Sequence, residues 1–524
     1  MKKFFLLLFC AGAFAAGAVQ AASSDLIARI HFAGAERISA DPDSRAFTNE
    51  FCSSEARALE SQTLDKLARA PGAWFRSKIT AGAGDGAEQL RPLLDDLLRS
   101  EWVFEMRDTT NGSPEYTLAI RLPGERVKLW QENLQNVLRL WTKLPAQKIP
   151  GGWELKKHQP PNLVRTTYKG GWLVIGCGQN ELPLTREKIS EVGGPVWAVK
   201  SPVNDNGWFS ANLNWPRLAQ LFPVLAKLNF PKTQLQVTGV DGNLQLNGKF
   251  DLAQPLSPLD KWRMPTNTVH QPFVSFTAAR GFASRLEKES WAQPYEISPT
   301  PNQLFVWALP GIPFQTFFAI PVPDANNALG QLHEKLSAHM DWQSHFMAPF
   351  ALVMTNHEIT WRGMPFIAPF VQAKHENSGD FLFSGFFPNT PRSKPLPPEL
   401  FARLNEPNLV YYHWEITAER LPQLQNLLQL GLVLTRYKQL PADSPGQKWI
   451  SHIGPTLGNT VTEVFQTAPD ELTFSRKAPG GLTAMELFAF ASWLEATNFP
   501  GCDLHLPPPH FRNRKPAVPP SGKP

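Results

Sequence analysis

The clearest pattern in the chain is an alternating apolar stretch that runs through a tight turn into a helical stripe. Residues 116–141 carry it: Tyr116 to Leu122 reads as a strand, and Pro123-Gly124 turns the chain. Proline suits the first helical position, where backbone N–H groups have no partner inside the helix. The apolar positions that follow have helical spacing and predict one buried face: Val127, Trp130, Leu134, Val137, Leu138 and Trp141.

The same unit recurs at residues 316–340, where Leu329, Leu332 and Leu336 form the stripe. Ala119-Ile120 and Pro123 match Ala319-Ile320 and Pro323 in order and spacing. Elements around this pair also correspond in order, which is how a repeat of structural units is read from a sequence. The matched segments are 26–38 with 273–286, 162–178 with 366–386, 208–225 with 409–428, and 235–250 with 461–477.

These correspondences predict two tandem halves of similar plan, residues 23–265 and 270–500. The alternative is a single larger domain with generic hairpins. Hairpins imply antiparallel pairing, so the fold class is predicted as α+β, with antiparallel sheets covered by helices. The first half carries a helical insertion at about 52–100 with an apolar stripe: Leu90, Leu93, Leu94, Leu97 and Leu98.

Residues 1–22 have the composition of a secretory signal peptide. Lys2 and Lys3 precede an uncharged, mostly apolar stretch, and Val19-Gln20-Ala21 is an acceptable cleavage site. The alternative is an uncleaved anchor, but the strongly apolar part is too short to span a membrane. We therefore expect an exported protein, periplasmic or extracellular, that is not an integral membrane protein.

The net charge of +5 comes mainly from the two ends of the chain. Two lysines leave with the signal peptide, and four basic residues lie in the proline-rich tail, residues 502–524, which is expected to be disordered or extended. The body is close to neutral. Nucleic-acid binding needs a basic surface, so it is not expected here.

Three cysteines remain after signal cleavage: Cys52, Cys177 and Cys502. In an oxidising compartment they are candidates for a disulfide, but three thiols allow one bridge at most. Cys177 has small neighbours that would admit a substrate. It also ends a predicted strand, where a half-buried, unreactive thiol is the commoner outcome.

No motif for metal binding, cofactor binding or catalysis emerges from the chain. His333 and His339 are six residues apart, whereas two ligands on one helical face need a spacing of four. His413 lies in a predicted strand and reads as a packed or half-exposed side chain. Asp95-Asp96 is interpreted as the solvated face of a helix. We predict no catalytic residue, no metal and no cofactor, although a site assembled from distant residues stays open.

Tryptophan is the one compositional excess, at 17 residues against six tyrosines. Core packing is the first interpretation, since indole rings bury large apolar areas. The alternative is an exposed aromatic platform or an apolar groove for a ligand. Several tryptophans occupy predicted strand or turn positions: Trp153, Trp172, Trp208, Trp215, Trp361 and Trp414.

Four segments together, LAIRLPGE, FAIPVPDA, YKGGWLVIGCG and SANLNWPRLAQL, define the recurring plan. In this plan the chain resembles a set of uncharacterised exported bacterial proteins known only as a domain of unknown function. The resemblance covers most of residues 24–480. It implies an exported, repeat-built α+β protein and assigns no activity or functional residue.

The sequence therefore favours an exported, non-enzymatic protein that binds a protein, glycan or lipid. The alternative is an exported hydrolase whose site comes from scattered residues. A third hypothesis is a structural envelope protein whose basic tail touches the wall or membrane surface.

Overall fold

The computed structural model has the α+β fold that the hairpin pattern predicts, with one large antiparallel sheet and helices packed on it. Twenty strands and thirteen helices lie in the part of the chain that the structure describes. That part comprises residues 26–75, 85–109, 113–158, 161–179, 181–192, 207–269, 273–288, 297–310, 315–338, 351–363, 367–387, 398–434 and 443–501.

The N-terminal run is the group of the first ten strands and the helices between them. Its strands are Leu26–Phe32 (β1), Trp102–Asp108 (β2), Pro114–Arg121 (β3), Gln147–Ile149 (β4), Gly152–His158 (β5), Pro161–Lys169 (β6), Trp172–Gly178 (β7), Phe209–Leu213 (β8), Lys232–Val240 (β9) and Asn243–Asp251 (β10). Its helices are Ala35–Ala40 (α1), Arg45–Phe51 (α2), Ser54–Phe75 (α3), Ala87–Arg99 (α4), Gly124–Thr142 (α5), Pro183–Glu191 (α6) and Trp215–Leu221 (α7).

The C-terminal run contains the last ten strands and six helices. Its strands are Ser275–Arg280 (β11), Gln303–Ala308 (β12), Thr316–Val322 (β13), Ala351–Met354 (β14), Glu358–Arg362 (β15), Phe370–Glu376 (β16), Gly379–Gly385 (β17), Leu409–Ile416 (β18), Asn459–Ala468 (β19) and Glu471–Ala478 (β20). Its helices are Ala283–Leu286 (α8), Ala325–Ala338 (α9), Pro398–Leu404 (α10), Thr417–Leu434 (α11), Pro445–Ile453 (α12) and Ala484–Glu495 (α13).

Both runs belong to one continuous sheet in which every ladder is antiparallel. Its order is β4-β5-β6-β7-β3-β2-β1-β8-β9-β10-β20-β19-β18-β11-β12-β13-β17-β16-β15-β14. The runs meet where β10 pairs with β20, from Leu244 opposite Ala478 to Asp251 opposite Glu471. The expected sheets are thus joined into one, because this pairing satisfies edge N–H and C=O groups that would otherwise stay open.

The strand-turn-helix unit forms as its pattern predicts. In α5 the side chains of Val127, Trp130, Leu134 and Val137 are buried on one face. They meet the apolar face of the sheet, where Ile30, Phe104, Leu118 and Ile175 lie on adjacent strands β1, β2, β3 and β7. The corresponding helix of the C-terminal run, α9, buries Leu329 against β13, β15, β16 and β17.

An aromatic cluster fills a second core in the C-terminal run. The rings of Trp307, Phe317 and Phe383 lie on neighbouring strands, with ring centroids 5.5 to 5.8 Å apart. Such pairs add to the stabilisation that comes from burying apolar area. Helix α10 covers this cluster with Leu400 and Leu404.

The predicted insertion at 52–100 forms the helices α3 and α4. Leu90 and Leu93 of the expected stripe are buried, Leu94 and Leu97 are partly buried, and Leu98 is exposed. Helix α3 also packs on the other run, because Leu59, Leu64 and Leu67 share one core with Trp449 and Leu487. The insertion therefore connects the two runs through side-chain packing, in addition to the β10–β20 ladder.

No helix within the described ranges is long and apolar enough to cross a membrane.

Burial of Glu50 generates a prediction about stability and pH. This side chain, at the end of α2, is 4% exposed, and its Oε2 has no hydrogen-bond partner among the described residues. Burial raises the pKa of Glu50 to about 7 from its usual 4.5. Ionising the folded form is therefore unfavourable, and stability falls as pH rises from about 4.5 through 7.

We expect Glu50→Gln to stabilise the protein at pH 8 by on the order of 2–3 kcal/mol and to have little effect near pH 4. Urea unfolding of both proteins at the two pH values measures this difference. Glu60→Gln, at an exposed position of α3, is the control and should change the free energy of unfolding at neither pH. Equal behaviour of the two variants would contradict the assignment.

Candidate functional site

A cleft of about 1010 Å³ opens beside the sheet. It lies at the C-terminal ends of β1 and β3 and at the N-terminal end of β2. Three helices surround it: α1 follows β1, α4 ends before β2, and α5 begins directly after β3. Its charged lining includes Glu36, Arg37, Arg99, Glu101, Arg121 and Arg126. Helices α1, α4 and α5 and strand β3 supply the arginines of this lining, and Ala33, Ser100, Glu101, Leu122, Pro123 and Gly171 come from the connecting loops.

Gly34 sets the position of α1 at the mouth of the cleft. Its φ of 87° lies in the left-handed region, which favours glycine. A Cβ atom here would lie 2.6 Å from the carbonyl oxygen of Arg99. The missing side chain therefore lets α1 approach the end of α4, which brings Arg37 and Arg99 to the same cleft.

Two of the acidic side chains in the cleft form hydrogen bonds or ion pairs with neighbouring residues of the protein. Trp130 Nε1 donates to Asp96 Oδ2 at 2.7 Å, and Arg126 Nη2 donates to the same oxygen at 2.8 Å. Asp95 pairs with Arg91 on the same helix. The expectation of a solvated Asp95-Asp96 face is wrong for Asp96, which is 9% exposed because α4 packs against α5.

Glu101 is engaged in the same way. Its Oε1 lies 3.0 Å from Nε2 of the buried His31 side chain. Burial by itself would raise the pKa of Glu101. The hydrogen bond and charge of His31, with Arg121 and Arg37 nearby, outweigh burial and lower this pKa below its usual value. Glu101 is therefore an ionised carboxylate that is already partnered.

The arginines at the rim present guanidinium groups towards solvent. Arg37 and Arg99 are exposed, and the Arg121 side chain is 69% exposed while its nearest acidic oxygen, on Glu101, is 3.5 Å away. A guanidinium offers planar N–H donors in a fork that fits a carboxylate or a phosphate. Asp95, Asp96 and Glu101 are paired, and Glu36 is the exposed acidic residue among the described residues of the lining, so three rim arginines face one such carboxylate and suit an anionic or carbonyl-rich ligand.

A buried ionic cluster lies under α6 on the sheet. Glu105 of β2 is fully buried and pairs with Arg29 at 3.0 Å, Lys188 at 2.9 Å, and Arg107. Burial opposes ionisation, but the three cations together lower the pKa of Glu105. Beside it, Glu115 accepts from the backbone N–H groups of Leu184 and Thr185 at the start of α6. We assign this cluster to holding α6 on the sheet.

A third polar group lies on the C-terminal run. Thr277 Oγ1 lies 2.8 Å from His413 Nδ1, because the two residues are opposite each other in the β11–β18 ladder. On the other side of the ring, His413 Nε2 lies 3.3 Å from Glu415 Oε2. Glu415 is held by Ala484 N–H at 2.7 Å and by the Thr417 hydroxyl at 3.0 Å. A hydroxyl, an imidazole and a carboxylate are thus aligned.

The two candidate cysteines within the described residues differ in solvent exposure. Cys52 is exposed at the end of α2, whereas Cys177 is buried in β7. Burial raises the pKa of the Cys177 thiol to about 12, and the nearby Glu115 adds to the effect. A thiol in this environment is unreactive, in agreement with the commoner interpretation. Cys502 lies outside the described residues, so the disulfide remains a prediction.

The histidines named in the sequence occupy separate places. His333 is half-buried on α9 and His413 is half-buried in β18, while His339 falls outside the described residues. Within the described ranges, no three His, Cys, Asp or Glu side chains are grouped in a way that would hold a metal ion.

The tryptophans pack into the fold. Trp153, Trp172 and Trp208 are buried, and Trp215, Trp361 and Trp414 are half-buried. Core packing is confirmed for the first three. The cleft lining among the described residues is polar and aliphatic, so it differs from the apolar aromatic groove that the sequence left open.

Sequence reasoning missed the cleft arginines. Arg37, Arg99 and Arg121 lie on three different elements, and each alone resembles an ordinary surface arginine. A weak signal was present at one of them, since Arg99 follows directly on the predicted apolar stripe that ends at Leu98.

Comparisons with family models, with curated proteins and with solved structures gave no match to this chain.

The ionic cluster under α6 generates a prediction. Glu105→Gln leaves Arg29, Arg107 and Lys188 without their shared buried carboxylate, which should cost about 3–5 kcal/mol of unfolding free energy. Denaturant unfolding measures the loss. As control, Glu187→Gln removes a half-exposed partner of Arg107 and should cost less than about 1 kcal/mol. Similar losses for both variants would show that the cluster is not held by Glu105.

Proposed function

We propose that this chain is an exported, non-enzymatic binding protein that takes an anionic ligand in the arginine-rimmed cleft. One observation carries the proposal: the cleft is open, and its rim presents Arg37, Arg99 and Arg121 beside a single exposed acidic residue among the described residues of the lining, Glu36, while Asp95, Asp96 and Glu101 are paired internally. Preformed concave sites with a few well-placed polar groups are typical of ligand binding.

The same proposal includes duplication of the two runs. The N-terminal strand order β4-β5-β6-β7-β3-β2-β1-β8-β9-β10 is matched in the C-terminal run, strand for strand, by β14 to β20 and β11 to β13. Leu244 lies opposite Ala478 and Phe250 opposite Leu472, which places Asn247 and Ser475 at the centre of the ladder. A local two-fold axis through this centre would exchange the runs.

Export is part of the proposal and is supported by sequence alone. Residues 1–22 carry the basic, apolar and small-residue regions of a signal peptide, and they lie outside the described residues. The destination would be the periplasm or the cell exterior. Membership among the exported proteins of unknown function that the sequence resembles is likewise proposed.

The charged lining of the cleft favours a polar, anionic ligand over an apolar one. An acyl chain needs an apolar lining, and the charged side chains here would be desolvated without compensation if it bound. A carboxylate or phosphate would replace water at the guanidinium groups with charge-assisted hydrogen bonds. Among protein, glycan and lipid partners, the cleft thus favours those that present acidic or carbonyl oxygens.

The test uses residues 23–524 with L-glutamate and inorganic phosphate as probes. We expect saturable binding of at least one probe at about millimolar Kd by calorimetry, as for a few exposed charge-assisted contacts. Arg99→Ala with Arg121→Ala should weaken it by about tenfold or more, and Arg69→Ala, at an exposed position of α3, should not. Binding that survives loss of both rim arginines contradicts the proposed site.

A second function, hydrolysis, is favoured by one observation: the alignment of Thr277, His413 and Glu415. A hydroxyl within hydrogen-bond reach of a base, with a carboxylate near the other ring nitrogen, resembles the arrangement of nucleophilic catalysis. His413 Nε2, however, makes no hydrogen bond to a described residue. The ordinary role of such a cross-strand contact is structural, and access is restricted because Thr277 and His413 are half-buried and Glu415 is buried.

Hydrolysis is tested with p-nitrophenyl acetate on the purified protein. If the second function holds, the rate exceeds the buffer rate and falls by about a hundredfold or more in His413→Ala, as removal of a general base does. The binding proposal expects no rate above buffer in either protein. A rate equal in wild type and Thr277→Ala would exclude Thr277 as nucleophile.

A further inference from the structure

In the C-terminal run, the place that corresponds to the cleft is filled by the chain itself. Residues 256–264, here called the strap, lie outside helices and strands and pass over the ends of β11 and β12, with one tight turn in which Asp260 N–H donates to Pro258 O at 3.2 Å. Gly281 O accepts from Ser257 N–H at 3.2 Å, and Asn302 Nδ2 donates to Pro258 O at 2.9 Å. The amide of Gln303 donates to Lys261 O at 2.7 Å and accepts from Arg263 N–H at 2.9 Å.

Three of the residues that hold the strap have polar or glycine counterparts in the cleft, whereas Arg280, which donates from Nη1 to Asp260 O at 2.6 Å, corresponds to Ala33. Phe32 lies opposite Trp102, and Ala279 lies opposite Leu304, in ladders of the same kind. Counting from these pairs, Gly34 corresponds to Gly281, and both have positive φ, 87° and 83°. Ser100 corresponds to Asn302 and Glu101 to Gln303, and Ser100 and Glu101 both line the cleft.

We propose that the cleft takes an extended segment of a partner polypeptide, laid across the ends of β1 and β2 as the strap lies across β11 and β12. This inference rests on the proposed function and names its ligand. In the strap, backbone N–H and C=O groups pair with polar groups at the strand ends. A bound segment in the cleft would gain affinity from backbone contacts of the same kind.

The strap ends at Met264, and residues 265–274 separate it from the start of β11 at Ser275. The stretch that precedes β1 by the same distance falls within residues 1–22, the predicted signal peptide, which lies outside the described residues.

The rim arginines indicate an acidic partner segment. By the same correspondence, Arg37 stands where the C-terminal run has Ser284. Arg99 stands where it has Pro301, and Arg121 where it has Pro321. These three positions are therefore basic in the open cleft and uncharged in the C-terminal run, where Arg280 binds the strap from the position of Ala33. Guanidinium groups at the rim would pair with carboxylates of the bound segment, in addition to its backbone.

The experiment uses residues 23–524 and a labelled peptide of residues 254–265 carrying Lys261→Glu and Arg263→Glu. Fluorescence anisotropy measures binding to wild type, to Arg37→Glu/Arg99→Glu/Arg121→Glu, and to Ser100→Trp, which fills the cleft without changing its charge. Arg69→Glu, exposed on α3, is the charge-matched control. Thermal melts verify that each variant is folded.

We expect binding to wild type and to Arg69→Glu, with affinity about tenfold or more lower in both cleft variants. Equal affinity for wild type and the folded cleft variants overturns the inference, because the peptide then binds elsewhere. If glutamate or phosphate binds but the peptide does not, the polypeptide ligand is wrong while the binding site stands. If none of the three probes binds, the proposed function fails as well.

Discussion

The backbone ladder between β10 and β20 is the interaction on which the rest of the structure depends. Each run of ten strands places a hairpin strand at its border, and such a border carries a row of unpaired N–H and C=O groups. The pairing of Leu244 to Asp251 with Glu471 to Ala478 satisfies both borders at once. It also fixes the register between the runs, since a shift by one residue would turn every side chain to the opposite face.

With the register fixed, side chains from one run complete the core of the other. Helix α3 belongs to the N-terminal run by sequence, yet Leu59 and Leu64 pack with Trp449 and Leu487 of the C-terminal run. Lys66 extends this contact by donating from Nζ to the carbonyl oxygens of Leu494 and Glu495 at the end of α13. The two runs therefore share packing and are not independent bodies.

Polar groups buried in this frame divide into those that hold the fold and those that face the cleft. Glu105 has three cationic partners beneath α6 and contributes to structure. Asp96 and Glu101 lie at the edge of the cleft and are paired with Arg126 and His31. Arg37, Arg99 and Arg121 lie at the rim together with the exposed Glu36. If the runs are duplicates, the open cleft and the strap-filled position are two outcomes of one architecture.

Relations between residues close together in the chain specified the local elements. Apolar spacing located α5 with its buried Trp130, the insertion helices with Leu90 and Leu93, and the hairpin of β9 and β10. Asp241 and Gly242 at the turn of that hairpin both have positive φ, as an Asp-Gly turn favours. These features depend on residues within a few positions of one another, and a sequence displays such relations directly.

The contacts between elements that are distant in the chain were visible only in the folded structure. The joining of the sheet through β10 and β20, the burial of Asp96 against Trp130, and the gathering of Arg37, Arg99 and Arg121 at one cleft all connect residues far apart in the chain. Backbone hydrogen bonding across a ladder is nearly independent of side-chain type. The identity of a residue therefore does not indicate which strand its own strand will pair with. The charge of a lone arginine likewise does not indicate whether its surroundings will be a free surface, a buried ion pair or the rim of a cleft.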